Sequence, residues 1–130
     1  MSTTSYHDYV NEQSLPEITA LIERDLSEPY SVFTYRYFIH NWPDLCILVC
    51  RLNSQNKAKD SVTDQLIGVI IGKLDHHKSK KTLRGYIAML AVDKNFRKRG
   101  IGSELVQRVG ARMRNQGAQE VILFIFRFIR

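Results

Sequence analysis

Apolar residues recur at helical spacing at Leu15, Ile18, Ile22 and Leu26, which predicts an amphipathic helix over residues 15–26. The preceding Ser14-Leu15-Pro16-Glu17 has the form of a capping box. In that motif the Ser14 hydroxyl takes the N3 amide and Glu17 reaches back, and proline is tolerated in the first turn. A short strand over 6–10 is expected before it. Pro29 interrupts the helical pattern. A second helix, rich in aromatics, is predicted over 32–41, ending before Pro43.

The pattern then changes to continuous apolar runs. Residues 45–52 (LCILVCRL) read as a strand. Residues 53–64 are polar and without periodicity, as expected of a hairpin loop. A second strand is predicted over 66–74, which contains Gly68 and Gly72, then a basic turn over 76–81, then a third strand over 83–92 (LRGYIAMLAV). The neighbouring His76 and His77 are read as turn residues. A glycine-containing basic segment follows the third strand. Beyond it Ile101, Leu105, Val109 and Met113 recur every four residues as one helical stripe, with Arg108, Arg112 and Arg114 off it. Residues 121–129 are apolar and read as a last strand, whose uncovered edge would favour association.

The chain has 130 residues, 44% hydrophobic and 25% charged, as expected of a single globular domain over 1–130. It has no apolar run long enough for a membrane-spanning helix. Its first residues carry neither a basic flank nor an apolar core of the signal-peptide kind. A cytoplasmic location is expected. Cys46 and Cys50 are four apart on a predicted strand, roughly 13 Å at ~3.3 Å per residue, too far for a disulfide. Buried thiols are expected, and no neighbouring ligand set suggests a metal. The net charge of +6 is uneven: residues 73–114 hold twelve of the nineteen Lys and Arg and three acids, Asp75, Asp93 and Glu104. Such a stretch suits an anion, whether nucleic acid, membrane or phosphorylated cofactor.

The segment between the third strand and the helix narrows this choice. It reads Asp93-Lys94-Asn95-Phe96-Arg97-Lys98-Arg99-Gly100-Ile101-Gly102-Ser103. Amides in the first turn of a helix have no internal partner and carry the positive end of its dipole. Gly100 and Gly102 leave room for phosphate to approach the backbone, and Arg97, Lys98 and Arg99 add full charge. A pyrophosphate is the natural guest. The lysine-hydroxyl ending of a Walker loop and the third glycine of the dinucleotide fingerprint are both absent.

Arg97-x-x-Gly100-x-Gly102 matches the [R/Q]-x-x-G-x-[G/A] signature of GNAT-family acetyltransferases. Two further stretches, 25–31 (DLSEPYS) followed by 35–43 (YRYFIHNWP), and 84–92 (RGYIAMLAV), resemble the catalytic subunits of NatC-type N-terminal acetyltransferases. The resemblance covers roughly residues 14–123. It implies the α/β GNAT (acyl-CoA N-acyltransferase) fold, a mixed twisted sheet with flanking helices. It implies acetyl-CoA as cosubstrate, no metal, and acetyl transfer to the α-amine of N-termini that begin Met-hydrophobic. Leu90, Ala91, Val92, Arg97, Lys98, Arg99, Gly100, Ile101, Gly102 and Ser103 would bind the cofactor. Leu26, Glu28, Pro29 and Tyr30 would meet the peptide. Auxiliary subunits, a large scaffold and a small Sm-like protein, are implied partners, with the ribosome a further candidate and no direct contact with nucleic acid or membrane.

The likeness breaks after Glu120-Val121-Ile122-Leu123. The family continues with an acidic strand end, an Asn, a helix containing a Tyr, and a final hairpin. Here Phe124 stands where the resemblance expects a base glutamate, and the downstream tyrosine, last helix and last strands have no counterpart. The expected catalytic groups therefore have no assignment. The chain is expected to be a poor catalyst, or a non-catalytic fragment that binds acetyl-CoA or an auxiliary subunit.

Overall fold

The computed structural model describes residues 3–24, 29–52, 65–76 and 81–123. Strand β1 (Thr3–Asp8) leads through a 3₁₀ turn (Glu12–Ser14) into helix α1 (Leu15–Glu23). Helix α2 (Val32–Asn41) is followed by a second 3₁₀ turn (Pro43–Leu45) and strand β2 (Cys46–Leu52). Strands β3 (Gln65–His76) and β4 (Leu83–Val92), a third 3₁₀ turn (Lys94–Phe96), helix α3 (Ile101–Asn115) and strand β5 (Glu120–Leu123) complete the described order. The five strands lie in the sheet in chain order. β1 to β4 pair antiparallel with their neighbours and β5 joins β4 in parallel. This is the mixed sheet with flanking helices that the resemblance implied.

The continuous apolar runs have a simple cause. Helices cover both faces of β2–β4, so inward positions exist on both sides. On one face Cys46, Leu48, Val69, Ile71, Met89 and Ala91 pack against Ile18, Ile22, Tyr35 and Ile39 of α1 and α2. On the other, Ile47, Val49, Ile67, Ile70 and Ile87 pack against Ile101, Leu105, Val109 and Met113 of α3. The four-residue stripe predicted for α3 is thus its core face. Cys46 and Cys50 both remain thiols and turn to the α1–α2 side. Burial pushes the Cys46 thiol up to about 12.

Two bulges re-aim the central strands. Val49 faces Gly68 and Cys50 faces Leu66, so Ile67 is the extra residue on β3. Ile71 faces Met89 and Gly72 faces Ile87, so Ala88 is the extra residue on β4. Ala88 and Met89 consequently turn to the same face. The described β4–β5 pairing runs from Arg84–Glu120 to Ile87–Leu123 and so ends beside this bulge.

Helix α3 comes closest to the sheet at two glycines. A Cβ on Gly85 would lie 2.9 Å from Met113 Cγ and 3.1 Å from its Cβ. A Cβ on Gly72 would lie 2.7 Å from the Met113 methyl and 2.9 Å from the Tyr86 carbonyl oxygen. Met113 is fully buried in the notch that these glycines leave.

The capping box at Ser14 does not form. Ser14 is helical (φ −81, ψ −13) and its side chain makes no capping bond. The turn begins earlier, where the Asn11 side chain accepts from the Gln13 amide at 2.9 Å. Ser14 is already inside that turn and its hydroxyl cannot reach forward. The first strand lies at Thr3–Asp8 rather than 6–10, and β3 runs two residues past its predicted end, which puts His76 on a strand. The α1 pattern is helical to Glu23. Residues 25–28, the 53–64 loop, His77 and the stretch from Phe124 onward lie outside the described residues.

Candidate functional site

The strand–turn–helix segment builds one end of the sheet. The α3 helix starts at Gly100, which takes φ +81 and ψ 6. That left-handed conformation favours glycine, and a Cβ there would meet none of the described residues beyond its chain neighbours within 4 Å. No side chain caps the helix. Its first backbone bond runs from the Glu104 N–H to the Gly100 oxygen at 3.0 Å, so the amides of Ile101, Gly102 and Ser103 precede the intrahelical ladder. Ile101 is buried among the α3 core residues and offers this end only its backbone. Lys98 also has positive φ, +65. Lys94, Lys98 and Arg99 are exposed and pair with none of the described acids, while Arg99 lies 5.1 Å from the Phe96 ring centre. Arg97 points partly inward, and its Nε donates to the Val92 carbonyl at 2.9 Å.

Backbone direction along β4 follows from two bonds. The Asp93 N–H donates to the Ile67 oxygen at 2.7 Å, so Asp93 faces β3. Neighbouring residues alternate along a strand. Ala91 therefore also faces β3, while Leu90 and Val92 direct N–H and C=O to the opposite edge. The bond from Arg97 to the Val92 oxygen agrees with this direction. Of the three strand residues singled out from sequence, the geometry puts two amides on the edge away from β3, where no described strand pairs with them, and one in the ladder. That edge continues the one that carries β5 further back, and it abuts the uncapped start of α3.

Two groups at this end were not found from sequence. Asp93 is 4% exposed. Its Oδ1 accepts from the Asn95 amide at 2.9 Å and its Oδ2 from Arg24 Nη1 at 2.7 Å. Asp93 was counted only as one of three acids in a basic stretch, and Arg24 lies 69 residues away in the chain. Burial works to raise the Asp93 carboxyl, but the Asn95 amide bond, Arg24 and the Arg97 charge outweigh it and hold it below the usual carboxylate range. A depressed folded value contributes stability that is present above the unfolded pKa, near ~4, and is lost as pH falls through the folded one. Asp93→Asn is therefore expected to flatten the acid limb of stability below about pH 4. Urea midpoints from pH 6 to pH 2 check this, and an unchanged acid limb would refute it.

Of the residues expected to meet peptide, Leu26 and Glu28 lie outside the described residues. Pro29 is exposed. Tyr30 is half-buried, edge-on to Tyr35 at 5.9 Å between ring centres. The Tyr35 hydroxyl donates to Glu23 Oε2 at 2.6 Å, and burial together with that carboxylate raises its pKa. Tyr30, Tyr35, Glu23 and Glu12 help line a cavity of about 430 Å³ between α1 and α2.

The basic excess of 73–114 is not one patch. Arg84 pairs with Glu120, Arg108 with Glu104, Arg112 with Asp8 and Lys73 with Asp75. Lys94, Lys98 and Arg99, which pair with none of the described acids, gather at the 94–99 turn. No group of three or more His, Cys, Asp or Glu among the described residues is placed to hold a metal ion.

Comparison with known proteins bears on the family and the fold. The model of the acetyltransferase (GNAT) family matches residues 15–127. N-alpha-acetyltransferase 30 of Homo sapiens is 47% identical over 121 residues, covering 93% of this chain and 30% of that protein. N-alpha-acetyltransferase 30 of Schizosaccharomyces pombe is 45% identical, covering 87% of this chain and 67% of that protein. A crystal structure of the NatC complex bound to Gag peptide and CoA superimposes with a TM-score of 0.76 at 36% identity, covering 92% of this chain and 72% of that one. The chain thus spans about a third of the human relative and two thirds of the fission-yeast one.

Proposed function

This chain belongs to the acetyltransferase (GNAT) family, and on that premise we propose that it is the acetyl-CoA-binding part of a NatC-type N-terminal acetyltransferase. The observation that carries the reading is the junction of two backbone features. The outward amides of Leu90 and Val92 run directly into the uncapped, cation-rimmed start of α3. A thioester with a long diphosphate tail matches both. The Ile101–Ser103 amides, with Lys98 and Arg99 beside them, would take the diphosphate. Gly100 would let it approach, and Arg97 would brace the turn through Val92. The Leu90 or Val92 amide would donate to the acetyl carbonyl and hold the charge that develops on its oxygen. Ala91 would support them from within the ladder.

In the proposed reaction a neutral α-amine attacks the thioester carbonyl. A C–N bond forms, the C–S bond breaks, and the thiolate takes up a proton as the ammonium releases one. An α-amine has a pKa near ~8, so a fraction is neutral at pH 7. Holding both substrates in line supplies much of the remaining acceleration. Leu26, Glu28, Pro29 and Tyr30 would line the peptide side, and the preferred N-terminus would be Met followed by a hydrophobic residue. The NatC complex among the structural relatives, bound to Gag peptide, supports a peptide substrate and auxiliary subunits. A scaffold subunit, an Sm-like subunit, the ribosome and a cytoplasmic setting belong to this proposal, with no metal, membrane or direct nucleic-acid contact. No described helix is long and apolar enough to cross a membrane.

One observation favours a second reading, a cofactor-binding chain without turnover. Phe124 stands where the resemblance expects the base, and general acid–base help is worth about 10²–10⁴-fold. Acetyl-CoA titration followed by an acetyl-transfer assay on a Met-Leu peptide separates the two. Saturable binding with transfer that rises with pH as the α-amine deprotonates is the expected result. Binding without transfer supports the second reading, and no binding refutes both.

A further inference from the structure

The acyl-CoA reading leaves a conflict at the base of the turn. Among the described residues Asp93 is the buried charged side chain, and it opens the segment proposed to hold two phosphates. An unbalanced carboxylate at that point opposes an incoming anion. Its Oδ1 bond to the Asn95 amide shapes the turn and leaves the negative charge in place. The balancing charge comes from another element. Arg24, at the C-terminal end of α1, donates from Nη1 to Oδ2 at 2.7 Å.

We propose that Arg24 is a positioning residue for the acyl donor, acting through Asp93: it neutralises that carboxylate and so keeps the β4–α3 turn receptive to a diphosphate. Three observations carry this. The carboxylate is 3% exposed, so water screens it weakly. The Asp93 backbone is fixed on both sides, its N–H on the Ile67 oxygen at 2.7 Å and its C=O taking the Phe96 N–H at 2.8 Å. The carboxylate therefore cannot swing away from the turn. Lastly, the Arg97 charge also acts on Asp93 while its Nε donates to Val92, whereas Arg24 donates directly to the carboxylate. The charge from α1 thus adds to that of the rim through a direct bond to the carboxylate.

The pair has a second consequence. Arg24 ends α1, and Pro29 and Tyr30 follow it within six residues. A contact that favours diphosphate binding also fixes the point where the chain leaves α1 towards the proposed peptide side. The inference rests on the acetyl-CoA reading. Arg24 is 48% exposed, but Arg24→Gln leaves the buried Asp93 carboxylate without its ion pair and lowers stability, so each titration is made where thermal unfolding shows the variant folded.

Calorimetric titration of acetyl-CoA into wild type, Arg24→Gln, Arg24→Lys and the double variant Arg24→Gln/Asp93→Asn tests it. Arg24→Gln should bind roughly tenfold more weakly, a loss that shrinks as salt rises. Arg24→Lys should recover most of the affinity. Removing the Asp93 charge in the double variant should restore it as well, which a purely structural role for the bond would not do. Wild-type affinity in Arg24→Gln, or a deficit in that variant untouched by salt and by lysine, overturns the proposal. So does a folded double variant as weak as Arg24→Gln. If the double variant does not fold, lysine rescue and the salt dependence decide. Failure of wild type itself to bind acetyl-CoA overturns the functional reading, and the inference falls with it.

Discussion

Gly100→Val is expected to weaken acetyl-CoA binding by more than tenfold, about 1.4 kcal/mol or more at 25 °C. Two effects combine. Gly100 holds φ +81, where a non-glycine residue costs about 1–2 kcal/mol and a β-branched one is a marked outlier. The new side chain also projects into space that none of the described residues beyond its chain neighbours occupies within 4 Å, the approach assigned to the diphosphate. Thermal unfolding and calorimetric titration separate the two effects. Gly100→Asn tolerates the left-handed conformation, so it should keep most of the stability and still lose affinity. Full affinity in Gly100→Asn and Gly100→Val would remove this turn from the cofactor site.

Gly85→Val is expected to destabilise the fold by about 2–3 kcal/mol, the range for overpacking a closed core. That corresponds to a fall of roughly 6–12 °C in Tm for a chain of this size. The added Cβ would meet Met113 at its Cβ and Cγ, not only at the mobile end of its side chain. Met113 is fully buried against the sheet, so α3 must lift or β4 must shift. Shortening the partner should relieve the clash: Met113→Ala in the Gly85→Val background should cost less than the sum of the two single changes. Strict additivity in differential scanning calorimetry would show that this contact is not the cause.

Legibility in the sequence followed the range of the interactions. Helix α2 and strand β4 were predicted to their terminal residues, because proline, apolar runs and glycine turns mark them locally. The α3 stripe was legible because the four residues recur about once per turn and face one side of the sheet. The turn at 97–103 was legible because its cations and glycines are contiguous. Ser14 misled because a local motif competed with another local motif, and Asn11 began its turn three residues earlier. The division of labour at 90–92 was not legible. It depends on which β4 amide meets Ile67, a register set across strands and bulges. The Arg24–Asp93 pair was beyond reach for the same reason, since only the packed fold brings α1 to the end of β4. Charge counting likewise could not show that Asp8 and Glu120, both outside the basic stretch, neutralise Arg112 and Arg84.

The notch at Gly72 and Gly85 has a consequence for oxidation chemistry. Its occupant is a thioether with no exposure to solvent. Peroxide can reach the Met113 sulfur only when α3 swings off the sheet, and the sulfoxide, polar and larger, cannot settle back between two glycines already in contact with the unmodified side chain. Each opening caught by the oxidant is thereby held until the sulfoxide is reduced. Met113 would thus act as a ratchet on any motion of the helix whose first turn is the proposed cofactor cradle. A ligand that holds that turn slows the ratchet in proportion to how seldom it lets the helix leave.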